Sequence, residues 1–298
     1  MYDLIIVGGG PAGMTAALYA LRNGKTALVI EKAGFGGQIT YSPKVENYPG
    51  TLSMSGNEFA EALLDQIMAQ GADVELEEVN EIVPGSTITV KTKEGSSFES
   101  KAVVLATGVK HRMLGLAGED LAVGNGISFC AVCDGDFYKN QTVVVAGGGN
   151  SALQEAILLS AKCAKVIVLQ DMDHFTGEKK LQEILFAKDN VESHTSVKIT
   201  GLIVNDSGVF KGVETSAGKF ECDGMFEAIG LIPENDNYKN VADLNSFGYF
   251  NSGEDCKTKT PGIFVAGDAR SKSIRQITTA ISDGAVAAMA ACNYIDGH

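Results

Sequence analysis

Adding 139 to the residue numbers lays this chain over itself: Gly8 falls on Gly147, Gly10 on Gly149, Gly13 on Ala152 and Leu18 on Ile157. The same shift carries Ala27–Ile30 onto Val166–Leu169 without a gap. In each copy an apolar run ends in a glycine turn, GGGPAG at Gly8 to Gly13 and GGGNSA at Gly147 to Ala152, and a helix-like segment follows. That order predicts a βαβ unit whose backbone approaches a pyrophosphate closely and whose helix N-terminus meets the negative charge. A lone glycine turn serves tight packing equally well, but two in register, each with its strand and helix, point to two dinucleotide-binding units. Pro11 suits the first position of one helix, and Asn150 is placed to cap the other.

A second element repeats. Val103–Gly108 and Met225–Gly230 each read as a strand ending in Ala-Thr/Ile-Gly, and Pro261–Asp268 is a further strand running into Gly-Asp. The last has no partner after the second unit, so it most simply completes the first. The expected fold is α/β, with two Rossmann-like three-layer nucleotide-binding domains, the second inserted into the first. The expected boundaries are residues 1–112 plus 244–298 for the outer domain and 113–243 for the insert, with glycine- and Asn-rich crossings as hinges. A length of 298 residues, 45% hydrophobic content and 35 glycines suit such an ordered protein. Phe59, Leu63 and Ile67 recur at helical spacing within Gly56–Gln70 and read as core. The alanine-rich run Ile277–Tyr294 reads as a second long helix.

Between the two glycine turns lies Cys130-Ala131-Val132-Cys133-Asp134. A CxxC pair can close into a disulfide or bind half of a metal site; no second CxxC or HxxxH completes a zinc tetrahedron, so no metal is expected and redox chemistry is favoured. The chain opens directly on the strand Tyr2–Val7, with no basic n-region and no long apolar run, which reads as a cytoplasmic protein with no membrane span. In a reducing compartment six cysteines are not a disulfide framework. Cys163, Cys222, Cys256 and Cys292 then read as small buried side chains. A net charge of −13 with no compensating Lys/Arg block argues against a nucleic-acid binder. The four histidines, His111, His174, His194 and His298, read as surface or loop residues.

A dinucleotide unit places an acid about twenty residues after its first glycine, to accept hydrogen bonds from the adenosine ribose. Glu31 fills that place in the first unit. The 139-residue shift puts Gln170 there in the second, followed by Asp171. Gln170 can still bond a ribose, whereas Asp171 repels a 2′-phosphate. Residues 170–178 contain no arginine. Since a charge-assisted hydrogen bond contributes about 1.5–3 kcal/mol, NADPH is disfavoured there by at least about tenfold and NADH is the expected nucleotide.

With these residues in hand, the chain resembles the low-molecular-weight thioredoxin reductases, class II of the FAD-dependent pyridine nucleotide-disulfide oxidoreductases, over essentially its whole length. The resemblance rests on GGGPAG at Gly8, Gly36-Gly37-Gln38, Glu46-Asn47-Tyr48-Pro49-Gly50, Ala106-Thr107-Gly108, Cys130 to Asp134, Gly267-Asp268-Ala269-Arg270 and Arg275-Gln276-Ile277. It implies that FAD occupies the first unit. Gly8, Gly10, Pro11, Ala12, Gly13 and Glu31 would lie on the adenosine half, and Gly37, Gln38, Asn47, Ala106, Thr107, Gly108, Gly267, Asp268, Arg275, Gln276 and Ile277 on the ribityl and flavin side. It implies a homodimer that reduces thioredoxin or a thioredoxin-like protein. In that mechanism Cys133 faces the flavin, Cys130 attacks the partner disulfide and Asp134 supplies a proton to the departing thiolate. It also implies a rotation of the inserted domain between two working arrangements.

The chain departs from the family pattern at the second nucleotide site. The family carries His-Arg-Arg and a later Arg; this sequence has Gln170-Asp171-Met172 and Thr176. Three activities fit. The first is an NADH-linked thioredoxin reductase using Gly147, Gly149, Asn150, Ser151, Ala152, Gln170 and Asp171. The second takes electrons from ferredoxin, the insert having kept its fold and lost its nucleotide; the overall negative charge opposes this unless Lys179, Lys180 and Lys188 gather on one face. The third is an FAD dithiol oxidase. A non-enzymatic redox sensor would bind FAD without turnover.

Overall fold

The computed structural model describes residues 1–42, 44–205 and 209–297. The chain forms two compact units, residues 1–110 with 232–298, and residues 111–231. Both crossings are short strands, Lys110–His111 and Leu231–Ile232, which pair as a two-stranded sheet. The return therefore comes earlier than the expected 243/244. The cause is packing that a polar stretch conceals: Tyr238, Val241 and Ala242 are buried in one core with Ile5, Val7 and Ile88. The Tyr238 hydroxyl donates to the Val79 carbonyl at 3.2 Å, and the Asn240 amide to the Ile82 carbonyl at 2.8 Å.

In the first unit the strand Tyr2–Val7 runs parallel to Ala27–Glu31 on one side and to Ser97–Leu105 on the other. Asp73–Leu76 extends the sheet in parallel beyond Ala27–Glu31, and the antiparallel strands Ile88–Thr92 and Val79–Val83 extend it beyond Ser97–Leu105. Ile263–Val265 pairs in parallel with Val103–Leu105, which places the late Gly-Asp strand in this sheet. Leu4–Val7, Ala27–Ile30 and Ala102–Leu105 are buried throughout, as strands covered on both faces must be. One face packs against the helices Pro11–Arg22 and Ile277–Asp296 through small residues, among them Ala16, Ala17, Ala287, Ala288 and Ala291. Gly284 permits their close approach, because a β-carbon there would run into the Ala12 carbonyl.

The second unit repeats the plan. Thr142–Ala146 lies between Lys165–Leu169 and Gly224–Glu227, all parallel, with Val191–His194 and Ile127–Ser128 at the two edges. The helix Asn150–Ser160 covers one face with Ala152, Leu153, Ala156 and Leu159. A three-stranded antiparallel sheet, Ile199–Val204, Phe210–Thr215 and Gly218–Glu221, supplies the other layer. Cys163, Cys222, Cys256 and Cys292 are all buried. Among the described residues no helix is long and apolar enough to cross a membrane.

Candidate active site

The first glycine turn owes its shape to contact with the neighbouring strand. Gly8 has φ +111°, and a β-carbon on it would run into the Ala106 carbonyl. Gly13 is pressed in the same way against the Gly8 carbonyl. Pro11 begins the helix, as expected, and Gly10 precedes it with no side-chain cap, so the first helical amides face outward. Glu31, at the end of its strand, accepts from the Gly9 amide at 2.7 Å and from the Ala33 amide at 3.0 Å. Its carboxylate is thereby fixed beside the turn. The loop after that strand folds back, Gly36 donating to the Gly9 carbonyl at 2.8 Å. Gly37 then starts the short 3-10 turn that carries Gln38.

A second group of the expected residues lies in the same unit, Gly267 packing against Ala12 of the first helix. The Asn47 amide donates to Gln276 Oε1 at 3.2 Å, and Gln276 caps the helix Ile277–Asp296 reciprocally with Thr279. Arg275 donates from Nε to the Asp268 carbonyl at 3.3 Å, and its guanidinium lies 4.3 Å from the Tyr249 ring centre. The Thr107 hydroxyl donates to Asn235 Oδ1 at 2.7 Å, and Asn235 donates to the Gly248 carbonyl at 2.9 Å. Burial pushes the Asp268 carboxyl up to about 6 against the pull of Lys272 and Arg275. Its neighbour Gly267 donates to Asp283 Oδ2 at 3.0 Å. Asp283 also binds Arg270 Nη2 at 2.9 Å and Lys272 Nζ at 2.9 Å. Burial alone would raise the Asp283 pKa, but these two cations outweigh it and hold the carboxyl below its ordinary value.

In the second unit, Cys130 and Cys133 are joined by a disulfide at the first turn of the short helix Ala131–Asp134. Both are half-buried, and Val132 between them is exposed. Cys130 is the N-cap, its Sγ accepting from the Cys133 amide at 3.2 Å. Asp134 is buried, which raises its pKa; a hydrogen bond from Ser128 at 2.6 Å opposes the rise. His111 is not the surface residue expected. It stacks on Phe129 with ring centres 4.4 Å apart, and burial pushes its pKa down to about 4. His174 is exposed and His194 half-buried, while His298 lies outside the described residues.

The second glycine turn has the geometry of the first. Gly147 has φ +125°, and a β-carbon there would stand 2.6 Å from the Ala228 carbonyl oxygen. The following loop again folds back, with Thr176 and Gly177 both donating to the Gly148 carbonyl at 2.9 Å. Two details differ from expectation. Asn150 is no cap: Gly149 holds that position, Asn150 is the first helical residue, and its side chain turns to Glu178. Gln170 is buried against Gly148 and donates to the His174 carbonyl at 3.2 Å, so its amide is already engaged. Asp171 and Ser151 are exposed.

Residues 2–284 match the sequence pattern of the family described as pyridine nucleotide-disulphide oxidoreductase. The chain belongs to that family. It is 36% identical to the thioredoxin reductase of Listeria monocytogenes over 99% of this chain and 94% of that protein. Identity to the thioredoxin reductase of Treponema pallidum is 39%, over 99% of this chain and 97% of that one. The crystal structure of the thioredoxin reductase from Streptococcus pyogenes superimposes with a TM-score of 0.94 at 36% identity, covering 100% of this chain and 99% of that chain. Within the family the chain is of the low-molecular-weight thioredoxin reductase type, an FAD-dependent disulfide oxidoreductase.

The first unit of this flavoenzyme fits FAD chemically. The uncapped helix start suits a diphosphate. Asp268 Oδ1 is buried and accepts no hydrogen bond among the described residues, which suits a ribityl hydroxyl. Glu31 has the acceptor oxygens for a ribose. Three residues of the two sites escape a reading by motif: Asn235, Asp283 and Ser128. Each acts through a contact distant in sequence or hidden between motif positions.

Proposed function

We propose that this protein reduces the disulfide of a thioredoxin or thioredoxin-like protein, with NADH preferred to NADPH as the source of electrons. The observation that supports it best is the half-buried Cys130–Cys133 disulfide beside a buried carboxyl of raised pKa. The first glycine turn and Glu31 would hold the adenosine half of FAD, and Gln38, Asn47 and Asp268 the ribityl and flavin half. When bound, FAD supplies the two electrons that open the disulfide. Cys130, the residue before the short helix Ala131–Asp134, then attacks the partner's disulfide as a thiolate. Asp134 gives a proton to the departing sulfur, and Cys133 attacks Cys130 to release the reduced partner. The working unit proposed is a homodimer, which light scattering checks.

Preference for NADH rests on Asp171, exposed just past the strand Lys165–Leu169, and on the lack of any Lys or Arg in 170–178. A 2′-phosphate brought there meets a like charge and no cation. A second donor, ferredoxin, is favoured by two observations: Gln170 is committed to the His174 carbonyl, and Glu178 carries its charge to the start of the helix Asn150–Ser160. On that account the turn persists for packing, as the tight Gly147–Ala228 approach allows.

Trapping tests the thiol roles. Reduced C133S should accumulate a mixed disulfide with thioredoxin through Cys130, and C130S should not; equal trapping by both variants would overturn the assignment.

A further inference from the structure

Ser128 ends the two-residue strand Ile127–Ser128, whose partner is Phe226, and is 5% exposed. A buried serine has one proton to donate and lone pairs to accept, and any backbone carbonyl would satisfy it. This one is used differently. Its hydroxyl donates to Asp134 Oδ2 at 2.6 Å, and the same oxygen accepts from the Cys130 amide at 3.1 Å. Ser128 thus ties together the two ends of the segment Cys130 to Asp134. The other carboxyl oxygen, Asp134 Oδ1, is buried and has no hydrogen-bond partner among the described residues.

The two oxygens of Asp134 are therefore inequivalent. A proton on Oδ2 would face the Ser128 proton. The serine would have to turn and accept, leaving its own hydrogen without a partner in a buried place, which is costly. A proton on Oδ1 leaves both Ser128 hydrogen bonds in place. We propose that Ser128 is a positioning residue for disulfide exchange: it confines the exchangeable proton of Asp134 to Oδ1 and anchors that carboxyl to the backbone of Cys130. The proposal rests on the assignment of Cys130, Cys133 and Asp134 to exchange made above.

The Cys130 thiolate attacks one sulfur of the partner's disulfide; a Cys130–partner bond forms and the partner's own S–S bond breaks. The electron pair leaves on the partner's second sulfur, which takes the proton from Asp134 Oδ1. Cys133, having lost its proton to solvent, attacks Cys130, re-forms the internal disulfide and expels the remaining sulfur, which takes a proton from solvent. The dithiol loses two electrons and the partner gains two.

Three variants of the FAD-loaded enzyme test this: S128A, S128T and D134N. In one arm each is reduced anaerobically with dithionite, so no nicotinamide or ferredoxin enters, and mixed with oxidised thioredoxin across pH. In the other, the reduced dithiol is alkylated with iodoacetamide across pH, which needs no partner at all. Loss of a hydrogen bond to the charged carboxyl raises the pKa of that group. S128A should therefore move the Asp134-dependent limb up by about one pH unit in both arms. On the plateau below that limb, where Asp134 carries its proton in both enzymes, S128A should lower the thioredoxin rate about tenfold through lost positioning, with the half-saturating thioredoxin concentration unchanged. S128T, which keeps the hydroxyl, should restore the wild-type profile, and D134N should abolish the limb. Should S128A fail to fold, S128C takes its place, with a shift in the same direction, since a thiol donates weakly. Superimposable pH profiles for wild type and S128A (or S128C), or equal shifts in S128A and S128T, would overturn the proposal. A wild-type enzyme inert toward thioredoxin would count against the partner instead, leaving the alkylation arm to decide the role of Ser128.

Discussion

Asn150 donates to a Glu178 carboxylate oxygen at 3.1 Å and accepts from the Glu178 backbone amide at 2.7 Å. This pair of hydrogen bonds between side chain and loop fixes a negative charge next to the first residue of the helix Asn150–Ser160, where a dinucleotide would present its diphosphate. Like charges about 4 Å apart cost about 1 kcal/mol even with the full screening of bulk water. E178Q keeps the loop geometry and removes the charge. We expect its Kd for NADH, followed by flavin or nucleotide fluorescence, to fall about three- to tenfold. An unchanged Kd would mean that the diphosphate does not approach this turn.

Asp171 acts at the other end of the same site. It is exposed just beyond the strand Lys165–Leu169, where a 2′-phosphate would lie. D171R replaces repulsion with a charge-assisted hydrogen bond, and kcat/KM for NADPH relative to NADH should rise about tenfold or more. Equal ratios in wild type and variant would remove Asp171 from nucleotide selection.

The Asp283 cluster makes a different prediction. Arg270 and Lys272 both depend on this carboxylate, whose side chain is 8% exposed. D283A leaves Arg270 with only the exposed Glu254, and Lys272 with only the more distant Asp268, as carboxylate partners, at a cost of about 3 kcal/mol. It also frees the Gly267 amide that holds the turn bearing Asp268. A lower unfolding midpoint together with weaker FAD retention on dialysis is expected; retention equal to wild type would separate the cluster from the flavin.

Glu227 gives a pH signature in the second unit. Burial, then the adjacent Glu119, pushes its carboxyl up to about 9. Glu119 accepts the amides of Leu114, Gly115 and Leu116 at 2.7–2.8 Å, and the buried Glu227 beside it keeps its proton. Between the ordinary carboxylate range and pH 9 the folded state binds more protons than the unfolded state, so this group makes stability decline as pH rises. E227Q is neutral at every pH. Its unfolding free energy relative to wild type should therefore rise between pH 5 and pH 8.5, by about 1 kcal/mol or more. A constant difference across that range would show that Glu227 is ionised in the fold.

The internal repeat made the two units legible because each βαβ copy is local: strand, glycine turn and helix follow one another within thirty residues. Cys130, Cys133 and Asp134 were legible for the same reason. The boundary at Leu231 was not, since Tyr238, Val241 and Ala242 reach the first core from a polar stretch. Ser128 lies only two residues before Cys130, yet its role rests on which way a buried hydroxyl points. Asn150 was misread because a cap and a first helical residue differ by one position, and only the Glu178 contact, 28 residues away, separates them. Gln170 occupies the expected place, but its amide is turned inward by the His174 carbonyl.

The most direct measurement is anaerobic stopped-flow absorbance of the FAD-loaded protein, mixed in turn with NADH, NADPH and reduced ferredoxin, and then with oxidised thioredoxin. Rapid flavin bleaching by NADH, slow bleaching by NADPH, and recovery of the oxidised spectrum on adding thioredoxin are expected, with recovery lost in C133S. Bleaching by reduced ferredoxin alone would contradict the NADH donor, and a bleached flavin that thioredoxin leaves unchanged would contradict the reductase activity itself.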